Sequence, residues 1–252
     1  GADRRGSLAN NIGPGPPGSM QLRFLYQDPH YVAIDKPPGL LVHRSPISSD
    51  RVFAVQTLRD QIGQRVYPVH RLDRATSGVL IFGLSAEAAG RLAAQFQSHQ
   101  VDKAYLAVAR GWVDETGLID HPVADEEGRD LTQAATTRYR RLATVELPHP
   151  VDRYPSARYS LVRIVPETGR RQQIRKHFKH ISHPLIGDTT HGNGRHNRFF
   201  RERYDIHRLL LMSWQLGFRH PYSKQRVLVA AEPDADWRKI GELFNTVIPS
   251  LC

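Results

Sequence analysis

Short apolar runs separated by turn signals constrain the fold of this chain more than any other sequence feature. The run "LRFLYQ" is followed by the turn signal Asp28-Pro29 and then by "YVAIDKP", a spacing typical of consecutive strands. The uninterrupted apolar run "VLIFGL" indicates a buried strand, whereas "ARYSLVRIV" alternates apolar and polar residues like a half-exposed strand. These runs predict that a sheet forms the centre of the fold.

Helical patterns are interspersed among these strands. "FAVQTLRDQI" has apolar residues near helical spacing after a cap at 48–50, Ser85 caps the Ala-rich "AEAAGRLAAQFQSH", and "TGRRQQIRKHFKHI" is stopped by His183-Pro184. A last helix is expected around Trp237, after a hairpin of "LLLMSWQLGF" and "RVLVAA". Because the order shows no regular βαβ alternation, the sequence predicts an α+β fold with a mixed, largely antiparallel sheet.

The first residues differ in composition from the rest of the chain. Residues 1–19 are rich in Gly and Pro, have no periodic apolar pattern and precede Met20. We therefore expect 1–19 to be the remnant of an expression tag or a disordered extension. Residues 20–252 contain no obvious linker or internal repeat, and we expect them to form one folded domain.

Cysteine usage and hydropathy bear on location. Cys252 is the only cysteine, so the chain can form neither an intramolecular disulfide nor a Cys-based zinc site, which fits a reducing, cytoplasmic compartment. We find no apolar run long enough to span a bilayer and no secretory leader, so we expect no membrane association. Nothing in the sequence indicates an obligate protein partner.

The charge of the chain is strongly positive and concentrated in one segment. The formal net charge is +10, and residues 158–208 hold 12 Lys and Arg against 4 Asp and Glu. A charge run is often only a solvated face, but most of the net charge in a fifth of the chain favours a binding surface. The expected partner is a polyanion, and nucleic acid fits better than an anionic membrane surface.

The stretch "HRLDRATSG" places a single carboxylate, Asp73, between Arg71 and Arg74, immediately before the buried run. One interpretation is structural: Asp73 forms an Asx-type turn or cap with the Thr-Ser pair that follows. The other is that nearby guanidinium groups lower the pKa of Asp73 and orient it as an ionised nucleophile. No second acid stands at a conspicuous spacing, which disfavours the paired carboxylates of a glycosidase.

Four segments resemble, in order, the motifs of the RluA family of pseudouridine synthases. They are "VAIDKPPGLLVH" (32–43), "HRLDRATSGVLIF" (70–82), "KAYLAVARG" (103–111) and "TGRRQQIRKH" (168–177), the last followed by "HPLIGD" (183–188). Other segments, such as "RLATVELP" and "IGDTTHG", are most similar to the bacterial branch that isomerises uridine 65 in the T stem of tRNA. The resemblance implies the α+β catalytic fold of that family, with a cleft across the sheet.

The resemblance also implies individual roles. Asp73 matches the catalytic aspartate, which attacks the target nucleoside while uracil detaches from N1, turns and reattaches through C5. Whether it attacks the ring or the sugar, or assists glycal formation, stays open. Tyr105 matches the tyrosine that packs on the flipped base and is a candidate for removing the C5 proton, although alone it reads equally as a core aromatic. Arg175 matches the arginine that pairs with the aspartate, and Arg71 the residue that fills the space of the extruded nucleotide.

RNA contacts are expected on both sides of the catalytic motif. A base in a duplex stem must be extruded before chemistry, and a planar cation beside the nucleophile can fill the gap and hold phosphate. The segment 191–208 is predicted to be an exposed basic loop with interleaved aromatics. The candidate RNA-binding residues are Arg71, Arg74, Arg195, Arg198, Arg201 and Arg203.

Two positions depart from the family pattern, and several alternatives remain. Gln172 stands where His is usual, and Leu211-Met212-Ser213 stands where Leu-His-Ala is common. The substrate could instead be ribosomal RNA, or the chain could be a non-catalytic RNA-binding module. Histidines at 177, 180 and 183 could suggest a metal-dependent nuclease, but their three-residue spacing spreads them around a helix, so neither metal nor organic cofactor is expected.

Overall fold

The computed structural model describes residues 21–40, 54–124 and 131–248. Segment 1–19, the predicted cap at 48–50 and Cys252 lie outside the described residues. The described strands are β1 (Arg23–Gln27), β2 (Tyr31–Lys36), β3 (Tyr67–Pro68), β4 (Ser77–Gly83), β5 (Asp102–Arg110), β6 (Thr116–Asp120), β7 (Val123–Ala124), β8 (Thr132–Gln133), β9 (Thr136–Leu147), β10 (Ala157–Pro166), β11 (Leu211–Arg219) and β12 (Arg226–Ala230). The described helices are α1 (Ala54–Ile62), α2 (Ala86–Gln97), α3 (Gln173–His180), α4 (Gly194–Tyr204) and α5 (Ala235–Leu243).

One large sheet organises these elements. Its strand order is β1-β2-β4-β11-β5-β10-β9-β6, with β12 paired to β11 and β3 paired to β4. Among the described strands, every pairing is antiparallel except that of β4 with β11. The predicted α+β class and largely antiparallel sheet are therefore confirmed, as is the β11–β12 hairpin.

Strand β4 lies inside the sheet, and all of its residues are buried. Ile81 belongs to the same buried cluster as Leu92 of α2, whereas Phe82 belongs to the same cluster as Leu58 of α1. Because successive side chains of a strand point to opposite faces, β4 is covered by a helix on each side. This double burial explains why its sequence is an apolar run without alternation.

The junction of β4 with β11 requires glycine. Gly78 has a φ of 113°, and a Cβ at this position would lie 2.1 Å from the main-chain oxygen of Ser213. Ser213 is also the cross-strand partner of Tyr105 on β5. The loop that carries Asp73 therefore enters the sheet where β4, β11 and β5 lie side by side.

Residues 194–204 form helix α4, so the predicted basic loop is wrong over this part of 191–208. Asn193 caps the helix, since its side chain accepts hydrogen bonds from the main-chain N–H groups of Arg195 and His196. Phe200 packs edge-to-face on Tyr159 of β10, with ring centroids 4.9 Å apart. The helix is thus held to the sheet by aromatic contacts.

None of the helices within the described ranges has the length and apolar composition needed to cross a membrane.

Candidate active site

Asp73 presents its carboxylate to Arg175. The main-chain oxygen of Asp73 accepts a hydrogen bond of 3.0 Å from the N–H of Thr76, which closes the turn before β4. The carboxylate, with 24% of its side chain exposed, lies 3.5 Å from Nη1 of Arg175 on α3. The turn is therefore built by the main chain, and the acid group remains partly exposed to solvent.

Arg175 is fixed by a second carboxylate, that of Asp188. Its Nε and Nη2 donate to the two oxygens of Asp188 at 2.9 and 2.8 Å, and the Asp188 side chain is fully buried. The N–H groups of Thr190 and His191 donate to Asp188 as well. This two-pronged geometry fixes the plane of the guanidinium, so that Nη1 faces Asp73.

Asp188 was not predicted to be a site residue, although it lies in the segment "HPLIGD" that resembles the family motif. The available signal was an Asp followed by "TTHG", a pattern typical of an Asx turn. The pairing with Arg175 joins residues separated by a loop, and no periodicity in the sequence indicates it.

Burial raises the pKa of the Asp73 carboxyl above its ordinary value, and Arg175 offsets only part of this effect. The predicted lowering of that pKa by Arg71 and Arg74 is wrong, because the strongest cationic effects on Asp73 come from Arg175 and Arg171. Burial alone would also raise the pKa of Asp188, but hydrogen bonds from Arg175 and His191 outweigh it and lower that pKa. The two carboxylates thus differ: Asp188 is stabilised as an anion, whereas Asp73 is costly to ionise.

Tyr105 lies on β5 and is close enough to Asp73 for the charge of that carboxylate to act on its phenol. Burial raises the pKa of its phenol, the charge of Asp73 raises it further, and a hydrogen bond with Ser213 lowers it in part. The Ser213 hydroxyl also donates to the main-chain oxygen of Val79 at 3.2 Å. Tyr105 is therefore a neutral phenol near Asp73, held between neighbouring strands.

Lys36 anchors the loop that carries Asp73. Its buried Nζ donates to the main-chain oxygens of Pro37, Leu40 and Arg74 at 2.9, 2.6 and 3.0 Å. The N–H of Gly39 also donates to the Arg74 oxygen at 2.8 Å. Burial lowers the pKa of Lys36 to about 7. The "KPPG" turn thus fixes Arg74, the residue that follows Asp73.

The two family departures are accommodated in the fold. Gln172 adopts a left-handed conformation with φ 52°, and its Oε1 lies 2.8 Å from Nε2 of His191. Met212 is a buried core residue, and Ser213 contacts Tyr105 as described. Gln172 therefore links the start of α3 to the chain segment that leads from Asp188 into α4.

The predicted RNA-binding arginines are exposed. Arg71 and Arg74 flank Asp73, and Nε of Arg74 donates to the oxygen of Gly39 at 3.0 Å. Four further exposed arginines lie on α4, namely Arg195, Arg198, Arg201 and Arg203.

An open groove of about 600 Å³ borders the start of this helix, where Arg195 pairs with Asp152. Arg198 pairs with Glu202 in the same helix.

The histidines of the α3 region have separate contacts. Nε2 of His177 donates to the oxygen of His121, and the Thr137 hydroxyl lies 2.7 Å from Nδ1. The His180 ring stacks on that of His121, and Nδ1 of His183 lies 2.7 Å from the oxygen of Arg110. Within ranges 21–40, 54–124 and 131–248, no three His, Cys, Asp or Glu residues are arranged to hold a metal ion.

Comparison with known proteins places this geometry in a family. A family model described as RNA pseudouridylate synthase matches residues 30–180, a span that includes Asp73, Tyr105 and Arg175. The tRNA pseudouridine synthase C of Vibrio vulnificus (strain CMCP6) is 46% identical over 234 residues, covering 89% of this chain and 96% of the relative. That of Pasteurella multocida (strain Pm70) is 46% identical over 242 residues, covering 92% and 100%.

A solved structure has a similar fold. Human RNA Pseudouridylate Synthase Domain Containing 1 superposes with a TM-score of 0.70 at 24% identity, and the match covers 94% of each chain. The motif resemblance to the RluA family is thus confirmed by family model and relatives. The chain belongs to the RNA pseudouridylate synthase family.

Proposed function

We propose that this protein isomerises uridine to pseudouridine in tRNA. The curated relatives that align with nearly the whole chain are named tRNA pseudouridine synthase C, and residues 20–252 would form the catalytic domain. The observation that carries the proposal is the partly buried carboxylate of Asp73, which lies 3.5 Å from an arginine whose orientation is fixed by a buried acid. The isomerisation adds and removes no atom overall, so the proposal includes no cofactor.

Asp73 is the catalytic residue in this scheme. Its carboxylate attacks the uridine, at the ring or at the sugar, or assists loss of uracil as a glycal forms. The bond from the sugar to N1 breaks, uracil turns, and a bond forms to C5, which loses its proton while N1 gains one. Partial burial makes the carboxylate costly to ionise and leaves it poorly solvated, which favours reaction with an electrophile.

Tyr105 supplies a surface for the extruded uracil. Its ring lies beside Asp73, and its raised pKa keeps the phenol protonated in the unliganded protein. This favours a packing role over removal of the C5 proton. Arg71 would occupy the space that the uridine leaves in the stem, and Arg74 with the arginines of α4 would contact phosphates.

The finer assignment is uridine 65 in the T stem, which follows from the segments similar to that branch of the family. A tRNA substrate and the single cysteine agree with a cytoplasmic location. Mapping pseudouridine in tRNA and ribosomal RNA from a strain lacking this protein tests the position. Loss of pseudouridine from ribosomal RNA alone would contradict the tRNA assignment.

The Asp73→Asn substitution tests the catalytic role. It removes the nucleophile but preserves size, so we expect tRNA binding to persist while isomerisation falls below detection. Release of tritium placed at C5 of uridine reports the reaction directly, since that hydrogen is lost. The matched control is Asp60→Asn, which alters an exposed acid of α1 and should leave both binding and activity unchanged.

Two outcomes would reject the proposal. A wild-type protein that binds tRNA but releases no tritium would be a binding module, and an Asp73→Asn variant with normal activity would exclude Asp73 as the catalytic group. Activity that disappears in chelator would favour a metal-dependent reaction instead.

A further inference from the structure

A recess lies beside the chain segments that carry Asp73, Tyr105 and Arg175. Its volume is about 470 Å³, and its lining comes from the end of α2 and from strands β5, β10 and β11. Phe96, Lys103, Arg163 and Gln215 are among the residues that line it. None of them was selected from the sequence as an RNA-binding residue.

The two cations of this recess are not neutralised by the protein. Lys103 and Arg163 are both partly buried, and neither side chain forms a hydrogen bond or an ion pair with any residue in the described part of the chain. The two acids that line the recess already have partners, since Asp102 pairs with Arg226 and Glu167 pairs with Arg138. The acids of the lining are therefore neutralised by arginines outside it, and Lys103 and Arg163 are left without an anionic partner among the residues that the structure describes.

Burial lowers the pKa of the Lys103 ammonium, which agrees with a cation that has no ion-pair partner within the described ranges. An unpaired cation in a concave site costs folding free energy. An anion that enters the recess would offset this cost, because its oxygens would replace the water that Lys103 and Arg163 lose on burial.

The recess adjoins both the start of the segment that carries Asp73 and the loop that leads into α3. The Phe96 ring stacks on His70, the first residue of "HRLD", with centroids 4.5 Å apart and planes at 12°. Nζ of Lys103 lies 3.9 Å from the position that a Cβ on Gly169 would occupy, in the loop that leads into α3. Lys103 also precedes Tyr105 by two residues on the same strand, a separation of about 7 Å. A strand of RNA placed against Tyr105 would therefore pass the recess.

We propose that Lys103 and Arg163 bind a phosphodiester of the substrate RNA next to the extruded uridine. This inference rests on the proposed function. The planar guanidinium of Arg163 suits two oxygens of one phosphate, and the ammonium of Lys103 adds a point charge. The contact would fix the RNA strand relative to Asp73, in addition to the exposed arginines of α4.

The first test removes one charge at a time, in Lys103→Met and Arg163→Met, with Arg238→Met as control. Arg238 is an exposed arginine of α5 whose Nη1 donates to the oxygen of Pro233. We expect each recess variant to raise the Kd for tRNA about tenfold. We also expect the slope of log K against log salt concentration to fall by about 0.7 to 1 per variant. The control should change neither quantity.

Thermal unfolding separates this role from a structural one. Because Lys103 lacks a protein partner, Lys103→Met should leave the Tm unchanged or raise it while RNA binding weakens. A lower Tm with an unchanged salt slope would show a structural lysine and overturn the proposal. So would unchanged Kd and slope in both variants, provided that wild type still releases tritium from tRNA in the same assay.

The second test identifies the source of the phosphate. Uncharged methylphosphonates replace single phosphates around the modified uridine in a short stem-loop RNA. One of these replacements should weaken binding by wild type but not by Lys103→Met, since both changes remove the same contact. Two results together would reject the RNA contact and assign the recess to a free anion. The first is that every methylphosphonate weakens binding by the same factor in wild type and in Lys103→Met. The second is that inorganic phosphate raises the Tm of wild type but not that of Lys103→Met.

Discussion

Arg175 contacts two carboxylates that serve different purposes. Asp188 is buried and accepts hydrogen bonds from Nε and Nη2 of Arg175. Asp73 faces the remaining nitrogen, Nη1, at a longer distance. A guanidinium held in this way cannot turn to form a two-pronged pair with Asp73 without losing Asp188. Asp73 is thereby oriented but not tightly neutralised, which in the proposed scheme leaves its oxygens available to the uridine.

The Asp188→Asn substitution tests this division at the level of single residues. It leaves the buried guanidinium without its main anionic partner, so the free energy of unfolding should fall by about 3 kcal/mol. Arg175 should then move toward Asp73, and kcat should fall more than tenfold while KM changes little. Urea unfolding and single-turnover tritium release measure the two effects.

The control for this substitution is Asp102→Asn, which breaks an exposed pair with Arg226 and should change stability little. An Asp188→Asn protein with wild-type stability and kcat would show that Asp188 does not hold Arg175 in place.

The helical and strand elements differ in how well the sequence predicts them. The run 79–84 and the capped segment after Ser85 were predicted correctly, because apolar periodicity and caps are local signals. Helix α4 was missed because its buried face consists of His196, Asn197 and Phe200, so that it lacks an aliphatic stripe. Polar groups can form such a face only when partners exist elsewhere in the fold, as Tyr159 provides for His196 at 2.7 Å.

The candidate site shows the same limit. Asp73, Tyr105 and Arg175 were selected through motifs, and the fold places Asp73 close to both Arg175 and Tyr105, although the catalytic roles of the three residues remain predictions. The pKa direction of Asp73 was predicted wrongly, because sequence neighbours were taken for spatial neighbours and burial was not visible. The three main-chain acceptors of Lys36 could not be predicted either, since they depend on how two loops meet.

Helix α4 as an element is expected to contact RNA through its exposed arginines. Replacing Arg198 and Arg201 together by Gln should weaken tRNA binding and reduce its salt dependence by about 1.5 to 2 in slope. The matched control replaces Arg23 of β1 and Arg91 of α2 by Gln, since both are exposed arginines outside α4 and pair with Glu232 and Glu87. Filter-binding titrations over a range of salt concentrations measure both. Equal slopes in the α4 and control variants would show that this helix faces away from RNA.

Across the whole molecule, the net charge of +10 suits a polyanionic substrate, and the buried charges beside the site reduce stability. Burial raises the pKa of Asp73, lowers that of Lys36 to about 7 and lowers that of Lys103. In each case the folded protein disfavours the charged form relative to the unfolded chain. The core of sheet and helices must offset these costs, which is the usual balance between function and stability.

Asp73→Asn should therefore make the whole molecule more stable at neutral pH while abolishing isomerisation. The folded-state pKa of Asp73 lies above its unfolded value, so between these two pH values the folded protein binds more protons and stability falls as pH rises. Above the folded pKa the full cost of the carboxylate is present, and below the unfolded pKa it is absent. The Tm of Asp73→Asn should thus exceed that of wild type at pH 7, and the difference should shrink as the pH falls through the folded pKa. Calorimetry of both proteins over an acid-to-neutral pH series measures this, and a variant that is less stable than wild type at pH 7 would show that Arg175 stabilises the Asp73 carboxylate by more than its burial costs.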